Sequence, residues 1–190
     1  MKNIILIFAI ILVSQPILSG QEPQEAIDKK VVIRPLAYGG KPPRGFAGRE
    51  TMEYEVNPDP KELFRNRMLA VGFLGDVPDG VGPTLKASLW GAASVAGRVK
   101  NNPLIDSSFL LKIKGRVDGP SAGALFTVSM LAMMQGDDVN PEVTMTGTIL
   151  PDGSIGAVGG VRFKMEGAEE KGLKKVLVPE YLRVEIDFET

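Results

Sequence analysis

The 190-residue sequence predicts an α/β or α+β fold, a small mixed sheet with packed helices. Three observations point there. Short β-compatible runs alternate with runs of helical length from Met68 onward. Two runs of helical length, 84–99 and 122–134, are rich in small residues, as helices packed closely on a sheet require. No segment repeats, so solenoid and propeller architectures drop out. With 44% hydrophobic and 24% charged residues, the chain can bury one core but not two comfortable ones.

The elements follow in order. "MKNIILIFAIILVSQPILSG" (1–20) sets Lys2 ahead of an unbroken apolar run, Ile4 to Val13. Pro16 ends that run, and Ser19 or Gly20 offers a small residue for cleavage, the pattern of an export signal peptide. The run falls short of the ~20 residues a span needs; left uncleaved, it would tie the chain to a membrane. Residues 21–66 are polar and punctuated by Pro and Gly, so they are expected to be a linker or N-terminal extension. "VVIRPLAY" (31–38) is the one strand expected within it.

The folded domain is expected over 67–190. "MLAVGFLG" (68–75) reads as a strand and "DVPDGVGP" (76–83) as a loop. The next run, 84–99, puts Leu85, Leu89, Ala92, Ala93 and Ala96 on one helical stripe. "NNP" (101–103) breaks the chain before a strand, "SSFLLKIKG" (107–115), and a helix reaching Met134. "EVTMTGTI" (142–149) reads as a strand, and Asp152-Gly153 as a hairpin turn. "VRFKMEGAEEKG" (161–172) is a helix closed by Gly172. "KKVLVP" (174–179) reads as a short buried strand, and "YLRVEIDFET" (181–190) supplies one more.

Composition narrows the chemistry. A net charge of −1 gives no electrostatic case for nucleic acid or an anionic membrane surface as partner. There are no cysteines and no histidines. Disulfides, thiolate zinc sites, cysteine nucleophiles and the Ser-His-Asp triad are therefore excluded. "GGKPP" (39–43) holds a Gly-Gly-Lys, but the Walker A pattern occurs nowhere, so no ATP site is expected. No metal or organic cofactor is implied.

Ser121 is the first candidate. Asp118-Gly119-Pro120 form a tight turn just ahead of it, and a helix starts just after. A serine there can cap the helix, or it can be a nucleophile beside unpaired N–H groups at the positive end of the dipole. A nucleophilic serine needs a base, and without histidine a desolvated lysine is the plausible one. Most lysines here sit in charged runs; Lys164 follows the glycine-rich "GAVGGVRF" at the start of a helix.

"DGPSAG" (118–123), "MTGTILPDGSIGAVGGVRFK" (145–164) and "AEEKGLKKVLVP" (168–179) together resemble the proteolytic domain of the Lon protease family. The resemblance is strong from about Leu110 to Pro179 and extends back to Met68. It implies a Lon-like fold and a Ser-Lys dyad peptidase, with Ser121 as nucleophile and Lys164 as general base. It matches Thr146 to a threonine that orients the lysine, and Asp118 to an acidic position of the active-site loop. Gly119 and Pro120 complete that loop, and backbone N–H groups from Gly119 to Ser121 are expected to hold the oxyanion.

Where the family reads Lys-Glu-Lys, this chain has Arg162-Phe163-Lys164, and a family glutamate is replaced by Thr148. The family's histidines before the nucleophile loop have no counterpart, and the domain is expected to be short at its C-terminus. The expectation is an exported, ATP-independent endopeptidase acting on flexible or unfolded polypeptide. Its rival is a non-catalytic Lon-like domain used for binding or assembly. A hexamer is implied by the resemblance alone.

Overall fold

The computed structural model describes residues 28–56, 69–74, 80–105 and 107–180. The expected leader and the strand expected at 181–190 lie outside them. A mixed four-stranded sheet forms the centre, in the order β1 (Asp28–Ile33), β4 (Glu50–Val56), β6 (Ser107–Lys112), β5 (Ala70–Leu74). The β1–β4 and β4–β6 pairs are antiparallel, and β5 runs parallel to β6. Two helices, α1 (Pro83–Val99) and α2 (Gly123–Gln135), pack on each other; α2 reaches β1 and β4, and α1 reaches β5.

The alternation of strand side chains decides the core. Met52, Tyr54 and Val56 of β4 are buried, and Met52 and Tyr54 pair across the sheet with Leu111 and Phe109 of β6. The Tyr54 and Phe109 rings stack with centroids 4.6 Å apart. The helical stripe behaves as its spacing predicts: Leu85, Leu89, Ala92, Ala93 and Ala96 are all buried. Each large apolar side chain so buried contributes about 1.5–3 kcal/mol. A left-handed Gly136 ends α2, and its N–H and that of Asp137 return to Met133 and Ala132.

The stretch expected to be linker is the main correction. Residues 28–56 form four strands: β1 and β4 enter the central sheet, and β2 (Leu36–Gly39) pairs with β3 (Arg44–Ala47) as a hairpin. Proline and glycine sit at the joints rather than marking disorder. Pro35 separates β1 from β2, and its carbonyl accepts the Gly48 N–H at 2.8 Å. The domain therefore begins well before the expected boundary at 67.

The hairpin β2–β3 packs against the third helix, α3 (Val161–Glu170). The approach is close enough to require glycine. A Cβ on Gly45 would lie 1.6 Å from the Phe163 carbonyl oxygen, and one on Gly160 would lie 2.4 Å from the Tyr38 ring. Gly160 also has φ +65, which L side chains rarely adopt. Gly172 closes α3 as expected, its N–H bonding to Glu169 and that of Leu173 to Ala168.

Two further expectations change. The strand expected over 142–149 is split into β7 (Val143–Met145) and β8 (Thr148–Ile149), broken at Thr146-Gly147. β8 folds back on β9 (Ile155–Gly156) through the expected Asp152-Gly153 turn. β10 (Lys175–Leu177) pairs parallel with β7, but it is not a buried strand: Leu177 is 43% exposed. Among the described residues no helix is long and apolar enough to cross a membrane.

Candidate active site

At the break the Gly147 backbone leaves the ladder for partners outside any strand, while Thr146 still bonds to the end of β10. The Thr146 N–H donates to the Leu177 carbonyl at 3.0 Å, and the Gly147 N–H to the Ser121 carbonyl at 2.8 Å. In return the Gly147 carbonyl accepts the N–H of Ala124, in the first turn of α2, at 3.0 Å. A Cβ on Gly147 would collide with Ile155, 2.5 Å away. The Ser121 loop and the β7–β8 link are thus laced together, residue against residue.

Side chains complete the lacing. The Thr146 hydroxyl donates to the Ser121 carbonyl at 3.2 Å and accepts from Lys164 Nζ at 3.1 Å. Lys164 comes from the first turn of α3, where its N–H closes on the Gly160 carbonyl. It is only 2% exposed, and Nζ lies 5.7 Å from the centre of the Tyr38 ring. Tyr38 also stacks on Phe163, ring centroids 6.2 Å apart. The phenylalanine in Arg162-Phe163-Lys164 therefore has a partner in the N-terminal hairpin, and Arg162 pairs with Glu166 one turn on. Lys164, Thr146 and the Ser121 backbone carbonyl are thus linked in a row from three separate parts of the chain.

Ser121 is not a helix cap. α2 begins at Gly123, its N-cap is Ala122, and no side chain caps it. The serine sits in the turn before the helix and lines a cleft of about 330 Å³. Leu36, Phe46, Ile113 and Phe126 supply apolar wall to this cleft. Glu50 lines it too, and burial pushes its carboxyl above the usual value, against the opposing pull of the Lys114 backbone N–H. Sequence inspection missed Glu50 and Tyr38, since both lie in the stretch taken for linker.

Asp118 and its neighbours hold the loop. Its carboxylate accepts from the Thr84 hydroxyl at 2.5 Å and the Leu85 N–H at 2.9 Å. It thereby caps α1 from a distant loop, at the end of the helix that favours an anion. Gly82 makes room for it: a Cβ there would lie 1.9 Å from the carboxyl carbon. Ser88 adds a bond to the Pro120 carbonyl at 3.2 Å. Asp118 and the Pro120 carbonyl together tether the loop to α1. The expected oxyanion stretch narrows as well. Pro120 has no N–H, and the Gly119 N–H donates to the Thr84 hydroxyl at 2.9 Å, which leaves the Ser121 N–H as the candidate donor of that stretch.

Residues 114–188 match the model of the Lon protease (S16) C-terminal proteolytic domain. The chain carries a Lon protease-family proteolytic domain. A Lon protease of Fusobacterium nucleatum is 41% identical over 70 residues, which is 37% of this chain and 9% of that protein. One from Vibrio parahaemolyticus is 30% identical over 124 residues, 60% of this chain and 15% of that protein. A third, from Methanosarcina barkeri, is 37% identical over 62 residues, 33% of this chain and 8% of that protein. The chain thus matches only a small fraction of the length of these relatives. Ser121, Thr146 and Lys164 all fall inside the matched Lon-type segment, whereas β1 to β4, with Tyr38 and Glu50, precede it.

The tether predicts a pH dependence. Hydrogen bonds from the Thr84 hydroxyl and the Leu85 N–H hold the Asp118 carboxyl below its ordinary value of 3.8. A depressed folded-state pKa gives stability that is complete above the unfolded value and lost as pH falls through the folded one. Asp118→Asn is therefore less stable than wild type near neutral pH. The gap should close as urea denaturation is repeated at pH values stepped from 7 to below 3.8. A gap that stays constant with pH contradicts the tether.

Proposed function

We propose that this domain is a serine endopeptidase in which Ser121 attacks and Lys164 is the general base. The observation that carries the reading is the buried Lys164 amine, held by Thr146, which in turn holds the Ser121 carbonyl. Burial disfavours an ammonium ion, and a neutral amine can take a proton from a serine hydroxyl. The aromatic side of Tyr38 and the first turn of α3 keep bulk water from Nζ.

The reaction runs in two halves. Lys164 takes the Ser121 hydroxyl proton as Oγ adds to the peptide carbonyl. The tetrahedral oxyanion lies near the Ser121 N–H and the positive end of α2. Lys164 returns the proton to the departing amine, the C–N bond breaks, and an acyl ester on Ser121 remains. Water then gives a proton to Lys164 and adds to the ester, and the acid leaves as Ser121 regains its hydrogen. Thr146 directs the amine throughout: its own proton is spent on the Ser121 carbonyl, so toward Nζ it can only accept.

This chemistry needs no nucleotide, and the 190 residues hold no Walker A sequence. A peptidase acting without ATP-driven unfolding takes flexible or already unfolded segments. The leader-like Met1–Gly20 supports export of the folded part. A mature protein that starts after Ser19 or Gly20 on N-terminal sequencing is the expected result, and one that starts at Met1 or Lys2 counts against export.

Cleavage of an unstructured protein by the purified chain tests the dyad. Ser121→Ala and Lys164→Ala should each lose about a thousandfold or more of the activity. Lys164→Arg should not restore it, because a guanidinium does not give up its proton. Thr146→Val should lower kcat more than it raises KM, since it disturbs the base and not the cleft. Unchanged activity in both alanine variants overturns the reading.

A further inference from the structure

The period-2 alternation of β4 has a second effect. It turns Met52, Tyr54 and Val56 into the core, and it turns Glu50, the first residue of the strand, inward with them. Glu50 is only 8% exposed, which is unusual for a carboxylate. It pairs across the sheet with Ile33, at the end of β4 that faces the Ser121 cleft. Its carboxylate lies beside Gly48, where an added Cβ would be 3.2 Å from Oε1. One cleft therefore holds the serine, apolar walls from Leu36, Phe46, Ile113 and Phe126, and a nearly buried acid.

Resting on the peptidase reading above, we propose that this cleft receives the side chain of the residue whose carbonyl Ser121 attacks, and that Glu50 selects lysine or arginine there. An ionised carboxylate has about four acceptor positions. The nearby Lys114 backbone N–H favours the charged form, and a substrate ammonium or guanidinium would fill acceptor positions on it. The aliphatic stem of lysine or arginine suits the apolar walls, as such stems cover apolar surface elsewhere in proteins. An aliphatic side chain of similar length fills the same walls but leaves the acid without its counter-ion, and an acidic one is repelled.

The other charges of the cleft do not cancel this preference. The Lys114 charge acts on Glu50, but Lys114 and Arg116 lie on the exposed stretch 114–116, where water and salt weaken them. Asp118 is committed to Thr84 and Leu85. Glu50 is the charged group of this lining that is buried, so its interactions are screened least. A substrate cation that enters also favours the ionised form of Glu50, opposing the effect of burial.

The test compares two peptides identical except for lysine or leucine on the acyl side of the cut. Wild type should cleave the lysine peptide with a kcat/KM about tenfold or more above the leucine one, the effect of a charge-assisted hydrogen bond. Glu50→Gln, which keeps the shape, should cut that ratio by about tenfold or more. The ratio is taken within one preparation, so a partly folded variant still reports. A wild-type preference for leucine, or a ratio that survives Glu50→Gln, overturns the proposal. If neither peptide is cleaved, it is the peptidase reading that fails. Binding then decides the cleft: titration of wild type with product-like peptides ending in lysine or leucine should favour lysine, and lose that preference in Glu50→Gln. Equal affinities in wild type overturn the proposal.

Discussion

The hydrogen-bond chain from Lys164 Nζ through the Thr146 hydroxyl to the Ser121 carbonyl is the constraint around which this domain is arranged. Its three members come from α3, from the break between β7 and β8, and from the loop ahead of α2. Each must be held by its own neighbours for the chain to close. The strand cannot run on through Gly147, because its N–H and carbonyl are committed to Ser121 and Ala124. The loop of Ser121 cannot drift, because Asp118 and Pro120 tie it to α1. Lys164 cannot reach bulk solvent, because the β2–β3 hairpin lies against α3.

That last support comes from outside the segment that matches the Lon-type domain. The hairpin sits on α3 at a distance only Gly45 and Gly167 allow, and Tyr38 meets both the glycine-rich turn and Phe163. Two departures from the family pattern make sense in this light. Phe163 provides a ring for Tyr38, and Arg162 bonds along its own helix to Glu166. Lys164 itself is buried and contacts Thr146.

The sequence disclosed unequally. Helices α1, α2 and α3 were legible because apolar spacing and small residues define a helix within a short window. The proposal that Ser121 pairs with Lys164 came chiefly from family resemblance, since the two lie in different elements and no local pattern joins them. Residues 28–56 were misjudged for a physical reason. Strand pairing is non-local, and Pro35, Gly39, Gly40, Pro42 and Pro43 look like linker chemistry unless the partners β6 and α3 are known. Yet "ETMEYEV" carried a period-2 signal, with Met52, Tyr54 and Val56 facing inward between polar residues. That pattern also contained Glu50, the acid of the cleft.

Direct capture of the acyl-enzyme tests the central claim best. Wild-type protein would be mixed with an activated peptide ester and quenched in acid, its intact mass read, and the adduct mapped after digestion. Reaction through a lysine-activated serine predicts one acyl group, on Ser121, and none in a Lys164→Ala sample treated alike. An adduct on another residue, or equal acylation of Ser121 without Lys164, contradicts the account.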